Sequence, residues 1–411
     1  MYGCQQNLIK TDKDTKAILE YLCSESVKLS NAGTYYARQL YFKTGKIIGK
    51  YDLTKIMKGN IHFQAMTSNS AQQCLISVAE SFQSYKGLLK GIKKGTVTQR
   101  PKLPGYKKNG LAVVTFSSRH IKLTSEGLRF PLGNLVRTWF GIKYFYLPMP
   151  SNLDYNSIKE YRILPRNGCL YIEFIYKVEE EQPELDKTKF LSIDHGMNNW
   201  LTCVSNANTS FIIDGKHLKS INQGYNKRVA FLNNGFWSKR LARLSEKRNR
   251  QMRDAINKAS RLVVNHCLEN KIGVVIFGWN VGQKNNINLG KKTNQKFVQI
   301  PTGRLKDRIK QLCEQYSIKF VETEESYTSK ASFIDGDLLP KYGEKPERWQ
   351  PSGKRTKRGL YCTKMKWLIN ADCNGAANIA RKVAAIFRLD LSGVSRGVLT
   401  APLKIRLWSI Q

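Results

Sequence analysis

The sequence predicts an α+β multidomain protein: a small β-barrel split by a helical insertion, followed by an α/β domain. The apolar period carries this reading. It runs at three to four residues from about Thr11 to Gly95, shifts toward two between Leu111 and Glu181, and mixes both kinds thereafter. At 411 residues the chain has room for two or three cores. Hydrophobic residues make up 41%, so globular folding is expected.

The first ten residues read as a lone strand, and Thr11-Asp12-Lys-Asp14 supplies helix-starting chemistry. Ile18, Leu19, Leu22 and Cys23 then share one helical face. Leu75, Val78, Ala79, Phe82, Tyr85 and Leu89 repeat the spacing, as helix–helix core does. From Gly91 to Gly110 a stretch rich in Gly, Pro and Lys breaks the pattern. Lys93 and Lys94 open it, and it serves equally as a solvated loop or as one that contacts phosphates. Ala112–Ser117, His120–Thr124 and Leu170–Val178 are strand-like, with turns at Ser125-Glu-Gly127 and Arg166-Asn-Gly168. Several short strands at close spacing predict a barrel, placed at 1–10 and 111–182, with the helical insertion at 11–110.

The acidic, Pro-broken stretch Glu179–Asp186 marks a boundary. Beyond it, Phe190–Val204 reads as a strand, a break at Gly196 and a second apolar run. Thr209–Asp214 is a further strand. One long helix follows from about Tyr225 to Glu269. Lys271–Gly278 is a near-continuous apolar run, as a strand buried on both faces should be. A helix from Pro301 to Ser317 and a strand from Ile318 to Glu325 complete a β–α–β order that predicts a helix-flanked sheet with parallel strands. A basic loop, Pro340 to Gly359, precedes a final helix opened by Asn370-Ala-Asp372.

Charge narrows the function. Sixty-eight Lys and Arg against 31 Asp and Glu give a formal net charge of +37. Such a chain repels itself unless a polyanion neutralises it. The basic residues run through the whole sequence and form no single amphipathic patch, so nucleic acid is expected and a membrane surface is not. Lys239, Arg240, Arg243, Lys247, Arg248 and Arg250 crowd the polar faces of the long helix. Nearly all of one sign, they are expected to contact phosphates instead of pairing with one another. No run of about 18 apolar residues is present, and the start lacks signal-peptide character. Nine scattered cysteines without Cys-x-x-Cys suit a reducing compartment. A cytoplasmic, nucleoid-associated location is expected. No Gly-x-x-x-x-Gly-Lys-Ser/Thr loop indicates ATP use.

Three acidic points then fall at strand ends or a helix start: Asp194, the pair Glu324–Glu325, and Asp372. Asp194 interrupts a buried run, which is costly unless something pairs with it. On its own it reads either as a turn-forming Asp or as a metal-binding carboxylate. In α/β sheets, ligands gather beyond the carboxyl ends of strands, so residues distant in sequence can converge there. Clustered carboxylates that hold two Mg²⁺ or Mn²⁺ ions are what phosphodiester cleavage needs. His195 is read as a neighbour and not a ligand. Trp200, Trp237 and Trp279 are read as core before base-stacking residues.

Ser192-Ile-Asp-His-Gly-Met-Asn-Asn199, Tyr327-Thr-Ser-Lys330 and Asp372-Cys-Asn-Gly-Ala-Ala-Asn-Ile379 resemble the RuvC-type, RNase H-fold nuclease core of the TnpB family. These proteins are encoded by insertion sequences and are related to compact type V CRISPR effectors. The resemblance spans essentially the whole chain. It implies an RNA-guided DNA endonuclease, with a guide RNA and target double-stranded DNA as partners, Mg²⁺ or Mn²⁺ as cofactor, and a monomer as the working state. The nuclease domain would occupy 187–329 and 363–395, with a basic insertion at 330–362. Asp194 matches the family's first catalytic aspartate and Asp372 the last.

Two departures matter. Gly278 stands where the family's middle glutamate is expected, so either Glu325 or Glu324 replaces it from the next strand, Glu325 being nearer the strand end, or cleavage is lost. Two Cys-x-x-Cys pairs often precede the family's last aspartate. Here that interval holds only Cys362, with Cys373 just after Asp372, too few thiols to close a zinc site, so no structural zinc is expected. Asp335 and Asp337 are read as loop-forming. The alternatives are a nuclease-dead RNA-guided DNA-binding protein and a DNA-binding transposase without guide RNA.

Overall fold

The structure, a computed structural model, describes residues 1–108, 110–232, 238–280 and 300–408. The chain divides into two units, Met1–Val178 and Glu179–Gln411. Trp237 lies outside the described residues.

In the first unit, β1 (Tyr2–Leu8) leads into four helices: α1 (Lys13–Thr44), α2 (Lys50–Met57), α3 (Ile61–Gln64) and α4 (Ser68–Lys93). The Asp12 side chain accepts from Thr15 N at 2.7 Å and so starts α1 at the Asp expected from the sequence. Strands β2 (Val114–Ser117), β3 (Lys122–Thr124), β4 (Gly127–Pro131), β5 (Tyr144–Leu147), β6 (Ile158–Arg166) and β7 (Cys169–Lys177) follow, with a short α5 (Asn134–Phe140) before β5. The first strand returns to pair antiparallel with β7, in the order β1-β7-β6-β2.

A closed barrel does not form among the described residues. These strands make a four-stranded sheet and a separate three-stranded sheet, β3-β4-β5. Bulky rings fill the space between the two sheets. Phe130 stacks on Phe145 with centroids 4.9 Å apart and meets Phe116 and Tyr161 edge-on. Aromatic packing, and not edge-to-edge hydrogen bonding, joins the two sheets. Buried residues of α1, α4 and the strands share one core.

The second unit is a six-stranded sheet between two helical layers. Its strands are β8 (Asp186–His195), β9 (Asn199–Ser205), β10 (Ser210–Asp214), β11 (Ile272–Gly278), β12 (Lys319–Thr323) and β16 (Leu403–Ile405). The order is β12-β11-β8-β9-β10-β16. Both β8 and β12 run parallel to β11, and β9 runs antiparallel to β8 and β10. All seven residues of β11 are buried, which is why its sequence shows no alternation. One face of the sheet packs on α7 (Lys239–Glu269) and α8 (Thr302–Gln315) through residues such as Ile256, Val263, Leu305 and Ile309. The other face packs on α9 (Ala371–Phe387) and α10 (Arg396–Thr400).

Two expectations change here. The single long helix from Tyr225 is two elements, α6 (Lys216–Leu232) and α7, with residues 233–237 outside the description. Asn233-Asn-Gly235 in that interval is poor helix-forming sequence, and Ser238 caps α7 by accepting from Leu241 N. The basic loop before α9 also contains a small sheet, β13 (Lys354–Lys357), β14 (Leu360–Cys362) and β15 (Leu368–Asn370). No helix of the described residues is long and apolar enough to cross a membrane.

Candidate carboxylate site at the strand ends

Parallel β8 and β11 end side by side, with Ile193 opposite Phe277. Asp194 follows Ile193, and its partner on the other side is Thr202 of β9. The run Phe190–Ile193 is wholly buried, so the carboxylate is delivered at the point where the strand emerges from the core. Helix α9 lies over it. A Cβ on Gly375 would stand 3.2 Å from Asp194 Oδ2, so a larger residue there would crowd the carboxylate. Burial pushes the Asp194 carboxyl well above the usual range, helped by the nearby charges of Glu325 and Asp372, while Arg355 opposes the shift.

Gly278 ends β11, and the structure accounts for its being glycine. A Cβ built there would lie 2.5 Å from Glu325 Oε1, 2.8 Å from Glu325 Cγ and 2.6 Å from Ile379 Cδ1. Glu325 thus fills the volume that a side chain at 278 would occupy. Its backbone is pinned at both ends: Asn280 Oδ1 accepts from Glu325 N at 3.0 Å, and Thr328 Oγ1 donates to Glu325 O at 2.8 Å. Burial, with the neighbouring Glu324 charge, pushes the Glu325 carboxyl up to about 7. Among the described residues, its buried Oε1 has no hydrogen-bond partner. His195 Nε2 lies 3.6 Å from it, on a ring packed against Phe277 and Trp279.

Glu324 faces elsewhere. Its Oε1 takes the Lys382 ammonium and its Oε2 accepts from Ser326 N at 2.8 Å. Burial alone would raise its carboxyl, but Lys382 and Ser326 hold it below the usual range. Of the two adjacent glutamates, only Glu325 turns toward Gly278 and His195.

Asp372 sits in the first turn of α9, where Asn370 Oδ1 caps the helix by accepting from Asp372 N and Cys373 N. One carboxylate oxygen takes Asn199 Nδ2 at 2.7 Å and the other takes Arg355 Nη2 at 3.0 Å. The three carboxylates therefore converge at one end of the sheet. Among the described residues, however, no three His, Cys, Asp or Glu side chains form a group close enough to hold a metal ion. The Arg355 and Asn199 bonds that engage Asp372 fit that spread.

The donor chemistry suits a hard divalent cation. Carboxylate oxygens are its preferred ligands, and burial with mutual repulsion raises the carboxyls of Asp194 and Glu325 despite Arg355 nearby, leaving Glu325 Oε1 without a hydrogen bond among the described residues.

Asn374 and Asn378 are site residues whose role the sequence did not disclose. Both are fully buried. Asn378 Nδ2 donates to Thr328 O and Ala331 O at 2.9 and 2.8 Å, and Asn374 Nδ2 donates to Ala331 O at 2.8 Å. Four residues apart on α9, they clamp the turn that carries Glu325. Their presence within Asp372-Cys-Asn-Gly-Ala-Ala-Asn-Ile379 was the only signal.

Asp335 and Asp337 tie the loop after that turn through Lys364 N, Ser332 N and Ser352 N. Trp200 is fully buried and Trp279 partly so. Lys239, Arg240, Arg243, Lys247, Lys93 and Lys94 are exposed. Arg250 is half-buried, and Arg248 turns inward, donating to Asn222 Oδ1 at 2.9 Å with its guanidinium over the Tyr225 ring.

Fold and site together define a mixed α/β multidomain protein with carboxylates gathered at the ends of parallel strands. Residues 173–282 match the family model described as "Probable transposase", that of the TnpB transposases, and residues 303–379 match the "Cas12f1-like, TNB domain" model. These two segments are thus similar to TnpB and the Cas12f1-like proteins, as their motifs indicated. Among solved structures, the chain is similar to a Cas12f1 in complex with sgRNA and target DNA, at 14% identity, 90% coverage of this chain, 83% of that chain and a TM-score of 0.53. It is also similar to the mini-RNA-guided endonuclease CRISPR-Cas phi3, at 11% identity, 96% and 93% coverage and a TM-score of 0.43. A comparison with curated proteins gives no match.

Proposed function

We propose that the chain is an RNA-guided, Mg²⁺-dependent DNA endonuclease of the TnpB type, with a RuvC-like site made of Asp194, Glu325 and Asp372. The observation that carries the reading is the exclusion between position 278 and Glu325. The space left by the missing side chain on β11 is filled by a buried glutamate from beyond β12. Glu325 is thereby the replacement for the middle carboxylate, and Glu324 is a structural partner of Lys382.

In this reading Asp194, Glu325 and Asp372 are the residues that would hold Mg²⁺, or Mn²⁺, and the ion would supply Lewis acidity toward a phosphate oxygen and an acidified water. Burial raises the Asp194 and Glu325 carboxyls, so a bound cation would favour their ionised forms. Asn199 orients Asp372 from the start of β9, and Arg355 brings a guanidinium to the same rim, where it would meet a phosphate. The exposed cations of α7 and the net charge of +37 hold the nucleic-acid backbone. Guide RNA and target duplex are the partners, and the likeness to a Cas12f1 solved with sgRNA and target DNA supports them.

Co-expression with the flanking DNA, sequencing of the co-purified RNA and assay of matched DNA with Mg²⁺ test this. Cleavage at the matched site is expected. One observation favours the nuclease-dead alternative: both oxygens of Asp372 are already engaged by Arg355 and Asn199. That alternative predicts target binding without cutting, and indifference to Glu325→Ala.

A further inference from the structure

The basic stretch after α4 is a docked strap. Lys107 and Asn31 of α1 pair through two bonds, Lys107 N to Asn31 Oδ1 at 2.8 Å and Asn31 Nδ2 to Lys107 O at 3.1 Å. Arg38, two turns further along the helix, donates to Pro104 O at 2.8 Å. Its guanidinium lies between two rings, 5.3 Å from the Phe42 centroid and 5.7 Å from that of Tyr106.

These rings are not core. Phe42 is 60% exposed and Tyr106 47%, and Tyr35, one turn before Arg38 on the same face, is 58% exposed. Positions 28, 31, 35, 38 and 42 follow steps of three and four, so they form one continuous ridge beside the strap. Cations frame it: Lys43 and Lys46 on the helix side, Lys102 and Lys108 on the strap, all exposed, while Lys28 at the near end pairs with Glu25 at 2.6 Å. No Asp or Glu occurs between Glu25 and Asp52, nor between Glu80 and Glu126. The charge is therefore not neutralised from within either segment.

We infer that this ridge is a stacking platform for an unpaired stretch of RNA, a reading that rests on the chain taking RNA as proposed above. Exposed rings interleaved with cations match a strand whose base faces are free and whose backbone is anionic. A duplex hides those faces, and a protein partner would have to bring its own acids. DNA is unpaired only where it has been opened, whereas RNA presents free bases in the resting state, as a preformed surface requires.

The test uses the full chain, stripped of co-purified nucleic acid, with two fluorescent RNA strands of equal length, one carrying bases and one abasic. The combined variant Tyr35→Ala, Phe42→Ala, Tyr106→Ala is expected to lose roughly tenfold or more in affinity for the base-bearing strand, since stacking is worth about that per base. It is expected to match the unchanged protein on the abasic strand. The ring-preserving variant Tyr35→Phe, Phe42→Tyr, Tyr106→Phe should bind as the unchanged protein does. An equal loss on both strands, or no loss on either, overturns the inference alone. Tighter holding of the same strand made as DNA overturns the RNA assignment. Absence of RNA binding by the unchanged protein overturns both this inference and the proposed function.

Discussion

At the scale of single residues, position 278 and Glu325 are one unit. Gly278→Ala puts a Cβ on the Glu325 carboxylate and must displace it. Cleavage by that variant is expected to fall by about a hundredfold, the scale of losing one group that stabilises charge in the transition state. The exchange Gly278→Glu with Glu325→Gly returns a carboxylate to the end of β11, and partial recovery over Glu325→Gly alone, measured as cleavage rate, is the expected result. The strand-end place of Asp194 and the helix-start place of Asp372 were legible in the sequence because the two residues stand out in an otherwise apolar strand and at a helix start. The orientation of Glu324 and Glu325 was not, although Glu325 was favoured for lying nearer the strand end. It depends on which carboxylate meets Lys382, a residue 58 positions from Glu324, and spacing along a strand carries no information about such a partner.

At the scale of elements, α9 does two jobs. Its N-terminal turn presents Asp372, and the next turns present Asn374 and Asn378 to the carbonyls of the Glu325 turn. Asn378→Ala strands Thr328 O without its donor and is expected to cost about 1–3 kcal/mol, the penalty for an unsatisfied buried polar group, read as a lowered urea midpoint. The docking of α7 on β10 gives a pH signature. His266 donates to or accepts from Thr209 Oγ1 at 2.8 Å, and burial lowers its imidazole pKa below the ordinary 6.5. The fold therefore favours neutral imidazole. That contribution is complete above pH 6.5 and is lost as pH falls through the depressed value, so His266→Gln should flatten the decline of Tm on the acid side. Helix existence was legible here, but the break between α6 and α7, signalled only by Asn233-Asn-Gly235 and the capping Ser238, was overrun because apolar residues keep the helical spacing on both sides of it. The barrel was over-read: alternation names strands, whereas ring packing between β2, β4 and β6 decided that they form two sheets.

At the scale of the whole molecule, a net charge of +37 makes nucleic-acid binding steeply salt-dependent. The slope of log K against log salt should shrink by about one for each of Lys239, Arg240, Arg243 and Lys247 that contacts a phosphate and is replaced by Ala. Arg248→Ala should instead reduce stability, because its guanidinium is committed to Asn222 and Tyr225. The central claim concerns which glutamate completes the carboxylate site, and one measurement tests it most directly. The RNA-loaded protein and its Glu325→Ala and Glu324→Ala variants are compared for cleavage of matched DNA in Mg²⁺. The account predicts that Glu325→Ala abolishes cutting while Glu324→Ala, which loses the Lys382 and Ser326 bonds, still cuts. Undiminished cutting by Glu325→Ala, or loss confined to Glu324→Ala, would contradict it.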